Sequence, residues 1–121
     1  MGEPSQLRLS PSQFREAVWK RDGGLDRATG RPLSKTDPNW DYLGDVCHLF
    51  GRRVRPEWKL DPDRALLLSR SSHILSDGRG NYRLKILDLE SGERATDATR
   101  RLRFVCYDRD HETVLWQRED P

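Results

Sequence analysis

Residues 47–77 read CHLFGRRVRPEWKLDPDRALLLSRSSHILSD, and the reading of this stretch decides the fold. It begins inside a short apolar run, residues 46–50, interrupted by Cys47 and His48. A basic loop follows over residues 51–59, with Arg52, Arg53 and Arg55 directly behind the run. Residues 65–68, ALLL, fit a buried strand. Residues 69–76 fit a short helix, ended by the DGRG turn at residues 77–80. His73 and Asp77 are four apart and therefore share one face of that helix. The expected order is strand, basic loop, strand, helix, with one histidine on the first strand and a second, twenty-five residues later, on the helix.

On the N-terminal side, residues 1–9 read as a flexible arm. Ser10 and Pro11 read as an N-cap and first helical position. Phe14, Ala17 and Val18 give the next turns an apolar face, and Gly23 and Gly24 stop the helix. Residues 26–42 are turn-rich and have no clear period. On the C-terminal side, Tyr82, Leu84 and Ile86 alternate with Arg83, Lys85 and Leu87, and Leu102, Phe104 and Cys106 alternate in the same way. Val114 and Trp116 follow. The turns LESGE and DRDHET separate these runs, as expected for a small antiparallel sheet or a pair of hairpins. No internal repeat or low-complexity tract interrupts the chain.

A chain of 121 residues is one domain with at most a small appendage. Only 34% of it is hydrophobic against 35% charged, so the core is small and leans on local structure, a partner or a metal. The net charge of +2 is unevenly placed. Residues 47–85 carry nine Lys/Arg against four Asp/Glu, and the rest thirteen against sixteen. Basic charge therefore collects around the histidines, as a polyanion-binding face requires. Arginine outnumbers lysine eighteen to four, which suits bidentate contact with phosphate and also fits a GC-rich coding sequence. Two cysteines, Cys47 and Cys106, make neither a disulfide framework nor a Cys-based zinc site. No signal-peptide or membrane-spanning pattern is present, so the cytoplasm is the expected location and no membrane partner is expected.

Hydrolysis of a phosphodiester needs a base to activate water, a cation to neutralise charge on the phosphate and leaving oxygen, and positive groups to hold the backbone. A histidine, with a pKa of about 6.5, suits the first role. His73 and Asp77 can converge on one ion. Arg52, Arg53 and Arg55 supply the third role, with Trp58 and Arg79 as further contacts. Each has a plainer reading: a hydrogen-bonded core histidine, a helix-face pair, a solvated loop, a core tryptophan.

The run CHLFGRR…DPDRALLLSRSSHILSD resembles the ββα-metal core of HNH endonucleases, and FREAVWKRDGGLDRATGRPL resembles the lead-in to such domains. Together the resemblance covers about residues 14–77. It implies that His48 is the general base and that His73 and Asp77 are metal ligands. Cys47 falls just before the base, where the family commonly has a His or Asp ligand. The family's central Asn is replaced by Arg64, which either contacts phosphate or leaves the site slack. The four cysteines that often hold a structural zinc correspond to Asp26, Thr29, Ser69 and Ser72, so no structural zinc is expected and packing, with the C-terminal sheet as one source, must replace it. Cys47 is a poor ligand for Mg²⁺. Either it selects Zn²⁺ or another softer ion, or Asp45 reaches in from the same strand face, or water completes the shell.

The expected fold is α+β: a ββα-metal (HNH, or His-Me finger) core at residues 10–81, containing an N-terminal helix, with a small antiparallel sheet at residues 82–121 packed on the same domain. The expected function is metal-dependent cleavage of DNA, with RNA as a second polymer. The expected cofactor is one divalent ion, Mg²⁺ or Mn²⁺, with Zn²⁺ as the softer choice. The catalytic set is His48, Arg53 and Arg64. The ligand set is Cys47, His73, Asp77 and Asp45. Two alternatives stand beside this: a degenerate HNH-like module that binds nucleic acid without cutting it, and a protein-interaction domain. A partner protein supplying specificity fits any of the three.

Overall fold

The computed structural model describes residues 9–50 and 56–121. It is α+β, with two helices and two small antiparallel sheets. In chain order the elements are α1 (Pro11–Arg21), β1 (Gly44–His48), β2 (Ala65–Ser69), α2 (Arg70–Ser76), β3 (Tyr82–Asp88), β4 (Leu102–Asp108) and β5 (Val114–Glu119). β1 pairs with β2, and β3-β4-β5 form a single antiparallel meander rather than separate hairpins. No helix among the described residues is long and apolar enough to cross a membrane.

Helix α1 starts where its cap dictates. The Ser10 side chain accepts from Gln13 N, and Gln13 Oε1 accepts from Ser10 N in return. Phe14 and Val18 form its buried stripe, and Ala17 lies at the margin. Ser10→Ala removes the side-chain acceptor for Gln13 N, leaving only the half of the box that the residue-10 amide makes, and should cost about 1 kcal/mol in urea unfolding, with Ser10→Asp restoring most of it. An unchanged midpoint for Ser10→Ala would show that the cap adds nothing to global stability.

Strand β2 is buried on both faces, which explains its uninterrupted apolar sequence. Ala65 and Leu67 pack with Phe14 and Val18 of α1. Leu66 and Leu68 point the other way, into a core shared with Leu84, Leu102, Phe104 and Cys106 of the second sheet. The two sheets thus share one hydrophobic core, with β2 at its centre. β1 occupies Gly44–His48 rather than residues 46–50: the ladder ends at the His48–Ala65 pair, one backbone bond, Leu49 N to the Arg64 carbonyl, follows in the same register, and Phe50 lies beyond the strand. At Gly44 the ring of Trp19 lies so close that any side chain would have to displace it.

The outer edge of β2 is covered by side chains instead of a third strand. The Asp22 carboxylate accepts from Leu67 N at 2.8 Å, and Asp26 accepts from Ser69 N at 3.2 Å. Arg27 N donates to the Leu67 carbonyl and Arg21 Nη2 to that of Ala65. Asp22 also holds Arg21 and Arg27, and Arg27 reaches on to Asp120 at 2.7 Å. Three of the four positions aligned with zinc cysteines therefore do meet. Asp26 Oδ2 accepts from Ser72 Oγ at 3.0 Å as well, and Ser69 Oγ bonds Ser72. All three are buried, whereas Thr29 is exposed and bonds only locally, to Arg31 N. Hydrogen bonding stands at these positions alongside the packing supplied by the second sheet.

On β5 the apolar alternation does not translate into burial. Val114 and Leu115 are exposed and Trp116 is half-buried, since β5 is the edge strand of the meander.

Candidate functional site

β1 alternates its side chains between two environments. Val46 packs toward α1, while Cys47 enters the core shared with the second sheet. His48, at the strand's end, stacks on the Phe14 ring with centroids 5.4 Å apart and planes 10° apart, and meets the edge of Phe50 at 5.1 Å. Its Nε2 lies 2.9 Å from the Lys59 carbonyl oxygen. A carbonyl only accepts, so the neutral imidazole bonded there carries its proton on Nε2 and keeps the lone pair on Nδ1. The ring remains exposed.

Helix α2 begins directly at the end of β2, with Ser69 as last strand residue and N-cap. This places His73 beside β1. His73 Nδ1 is 3.2 Å from Asp45 Oδ2, and Nε2 is 3.8 Å from Asp77 Oδ2. Asp45 is also gripped in bidentate fashion by Arg70, with two contacts of 3.1 Å. Burial pushes the Asp45 carboxyl up, but Arg70 and then His73 outweigh it and hold it below the usual carboxylate range. His73 is raised from 6.5 to about 9, first by its hydrogen bond with Cys47, then by Asp45 and Asp77, against a desolvation that lowers it. Cys47 is buried and also lies 3.5 Å from Ser76 Oγ.

A folded-state pKa above the unfolded one means that the protonated form stabilises the fold. That contribution is complete below about pH 6.5 and is lost as pH rises through about 9. In EDTA, unfolding free energy should therefore fall between those pH values, by about 1–2 kcal/mol once solvent screening of the partly exposed ring is allowed for. His73→Gln should flatten the profile. A wild-type profile already flat from pH 6.5 to 9 would overturn this assignment.

A cleft of about 600 Å³ separates the end of the β1–β2–α2 unit from the second sheet. Its walls include Cys47, His48 and Asp77 on one side and Arg83, Lys85 and Arg94 on the other. The residues expected from sequence thus fall into groups. His48, Cys47 and Asp77 share the cleft. Asp45 and His73 adjoin it through Asp77 and Cys47, although His73 does not line it. Arg64 stacks on Trp58 at 4.4 Å, and its Nη1 bonds the Thr96 carbonyl, so both are engaged within the fold. Arg79 is exposed beyond α2. Arg52, Arg53 and Arg55 lie outside the described residues. Among the described residues, no group of three His, Cys, Asp or Glu side chains is arranged to hold a metal ion.

Nothing in the sequence reading singled out Arg70, and the cations of β3 entered it only as the polar half of an alternation. The signal for Arg70 is the strand register: Asp45 stands opposite Leu68, two residues before it. Comparison with protein-family models, with curated proteins and with solved structures finds no match to this chain.

Proposed function

We propose that this chain is a metal-dependent nuclease with a ββα-metal core, cleaving DNA by attack of water activated at His48. The observation that carries the reading is the tether of His48. Nε2 is fixed on the Lys59 carbonyl and the ring is clamped on Phe14, which leaves Nδ1 as the basic position on a residue that lines a cleft. A positioned imidazole of this kind is what general-base catalysis requires. Nδ1 takes a proton from water, the water oxygen bonds to phosphorus, and the bond from phosphorus to the leaving oxygen breaks, with that oxygen taking up a proton.

The donor chemistry around His73 fits a hydrated divalent ion. Nε2 faces Asp77, while Nδ1 is held by Asp45, the arrangement in which a carboxylate orients a ligating imidazole from behind. His73 and Asp77 would hold the ion, and water would fill the remaining positions, as Mg²⁺ prefers. When bound, the ion neutralises charge on the scissile phosphate and leaving oxygen.

The test is plasmid nicking by purified protein with Mg²⁺, Mn²⁺, Zn²⁺ or EDTA. Cutting with a metal and none in EDTA is expected. A second reading, a domain that holds DNA without cutting it, is favoured by one observation: Arg70 engages both Asp45 oxygens. Gel shift without nicking in any metal would select that reading.

A further inference from the structure

The cleft wall opposite His48 belongs to the second sheet, outside the region that resembles a nuclease. Arg83 and Lys85 lie on β3, two residues apart and therefore on one face. Arg94 is brought beside them by a bridge between its backbone and that of Leu87. All three line the cleft with Asp77.

Their charges are not consumed by the fold. Several other arginines around this sheet are paired, Arg100 with Asp88 and Glu90, Arg103 with Glu119, and Arg27 with Asp120, and Arg101 and Arg118, which among the described residues have no ion pair either, do not line the cleft. Among the described residues, Arg83, Lys85 and Arg94 have no carboxylate at ion-pair distance, and the buried Nε of Arg83 has no acceptor. Yet two of them are held in place. The Arg83 guanidinium lies against Gly78, where a Cβ would come within 2.9 Å of Nη1, and Lys85 Nζ sits 4.8 Å from the centre of the Tyr107 ring. Interaction with the C-terminal end of α2 would account for Arg83 alone, since that end carries partial negative charge. It does not account for Arg94, and for Lys85 the fold supplies only the Tyr107 ring. Three such cations in a cleft that His48 and a single carboxylate, Asp77, also line among the described residues form a seat for a chain of phosphates.

We infer that Arg83, Lys85 and Arg94 bind the phosphodiester backbone of DNA and lay it across the cleft against His48. The inference rests on the nuclease reading for the identity of the polymer. It assigns the second sheet a share in substrate binding.

The test is binding of a short fluorescein-labelled DNA duplex in EDTA, by anisotropy, over a series of salt concentrations. Lys85 and Arg94 are exposed, so the double variant Lys85→Ala/Arg94→Ala should fold, as circular dichroism can verify. It should bind about tenfold more weakly or worse, and the slope of log affinity against log salt should shrink by about two. Lys20→Ala, on the exposed face of α1, removes one charge away from the cleft and is the control. A double variant with wild-type affinity and slope would overturn the inference, as would a wild type that binds no DNA at low salt. Nicking measured in parallel separates this from the nuclease reading. Binding through the wall without cutting removes only the catalytic reading. Cutting and binding that ignore the double substitution remove only the wall.

Discussion

His48→Ala should lower metal-dependent nicking by about 10²- to 10⁴-fold, the range that a positioned general base contributes. DNA affinity should change little, because proton removal occurs only on the way to the transition state. The ring also packs on Phe14 and Phe50, so alanine alone would mix a lost base with lost packing. His48→Gln separates the two. Its amide can still donate to the Lys59 carbonyl and covers part of the same surface, but it has no basic nitrogen. The glutamine variant should fold, shift DNA and cut no better than the alanine variant. Nicking by His48→Gln within about threefold of wild type would remove His48 from the chemistry, because loss of the base alone should cost far more.

Asp22→Ala should destabilise the domain by about 3–5 kcal/mol in urea or thermal unfolding, the cost of leaving buried charges without their partner. Only 2% of the Asp22 side chain is exposed, and it serves four donors: Arg21 twice, Arg27, and the amide of Leu67 on the open edge of β2. Truncation leaves the Leu67 amide without its acceptor and Arg21 without its carboxylate, while Arg27 keeps Asp120. For a domain whose total stability is about 5–15 kcal/mol, that is a large fraction. Asp22→Asn should fall between wild type and alanine, keeping an acceptor for Leu67 N while losing the charge. A loss under about 1 kcal/mol for Asp22→Ala would mean that water replaces the network at no great cost.

Much of the architecture was legible because its signals are local. Ser10 and Pro11 announce the start of α1 within a single turn. ALLL marks β2 because a strand covered on both faces has no polar positions. Leu102, Phe104 and Cys106 alternate because β4 has one face on the core. The same rule failed on β5, where alternation is present but nothing covers Val114. Position Asp26 illustrates the limit. Its alignment with Ser69 and Ser72 placed three residues at one point, but only coordinates show that a carboxylate and two hydroxyls bond there.

The candidate site divides in the same way. Sequence spacing brought His73 and Asp77 onto one helical face, and the apolar run at residues 46–50 put Cys47 and His48 on the first strand. It gave no means of knowing that Asp45 is shared between Arg70 and His73, or that Arg64 is taken up by Trp58 and Thr96. What the sequence by itself determined is the set of elements, their order, and the residues capable of acid–base and ligand chemistry, since those follow from side-chain type and near-neighbour periodicity. What only the tertiary structure decided is which charges are spent on the fold and which remain available. Asp22 is consumed by a strand edge forty-five residues away, whereas among the described residues Arg83, Lys85 and Arg94 have no carboxylate at ion-pair distance. A charge acts through whatever lies within a few ångströms of it, and for these residues those neighbours are set by the packing of β2 between α1 and the second sheet.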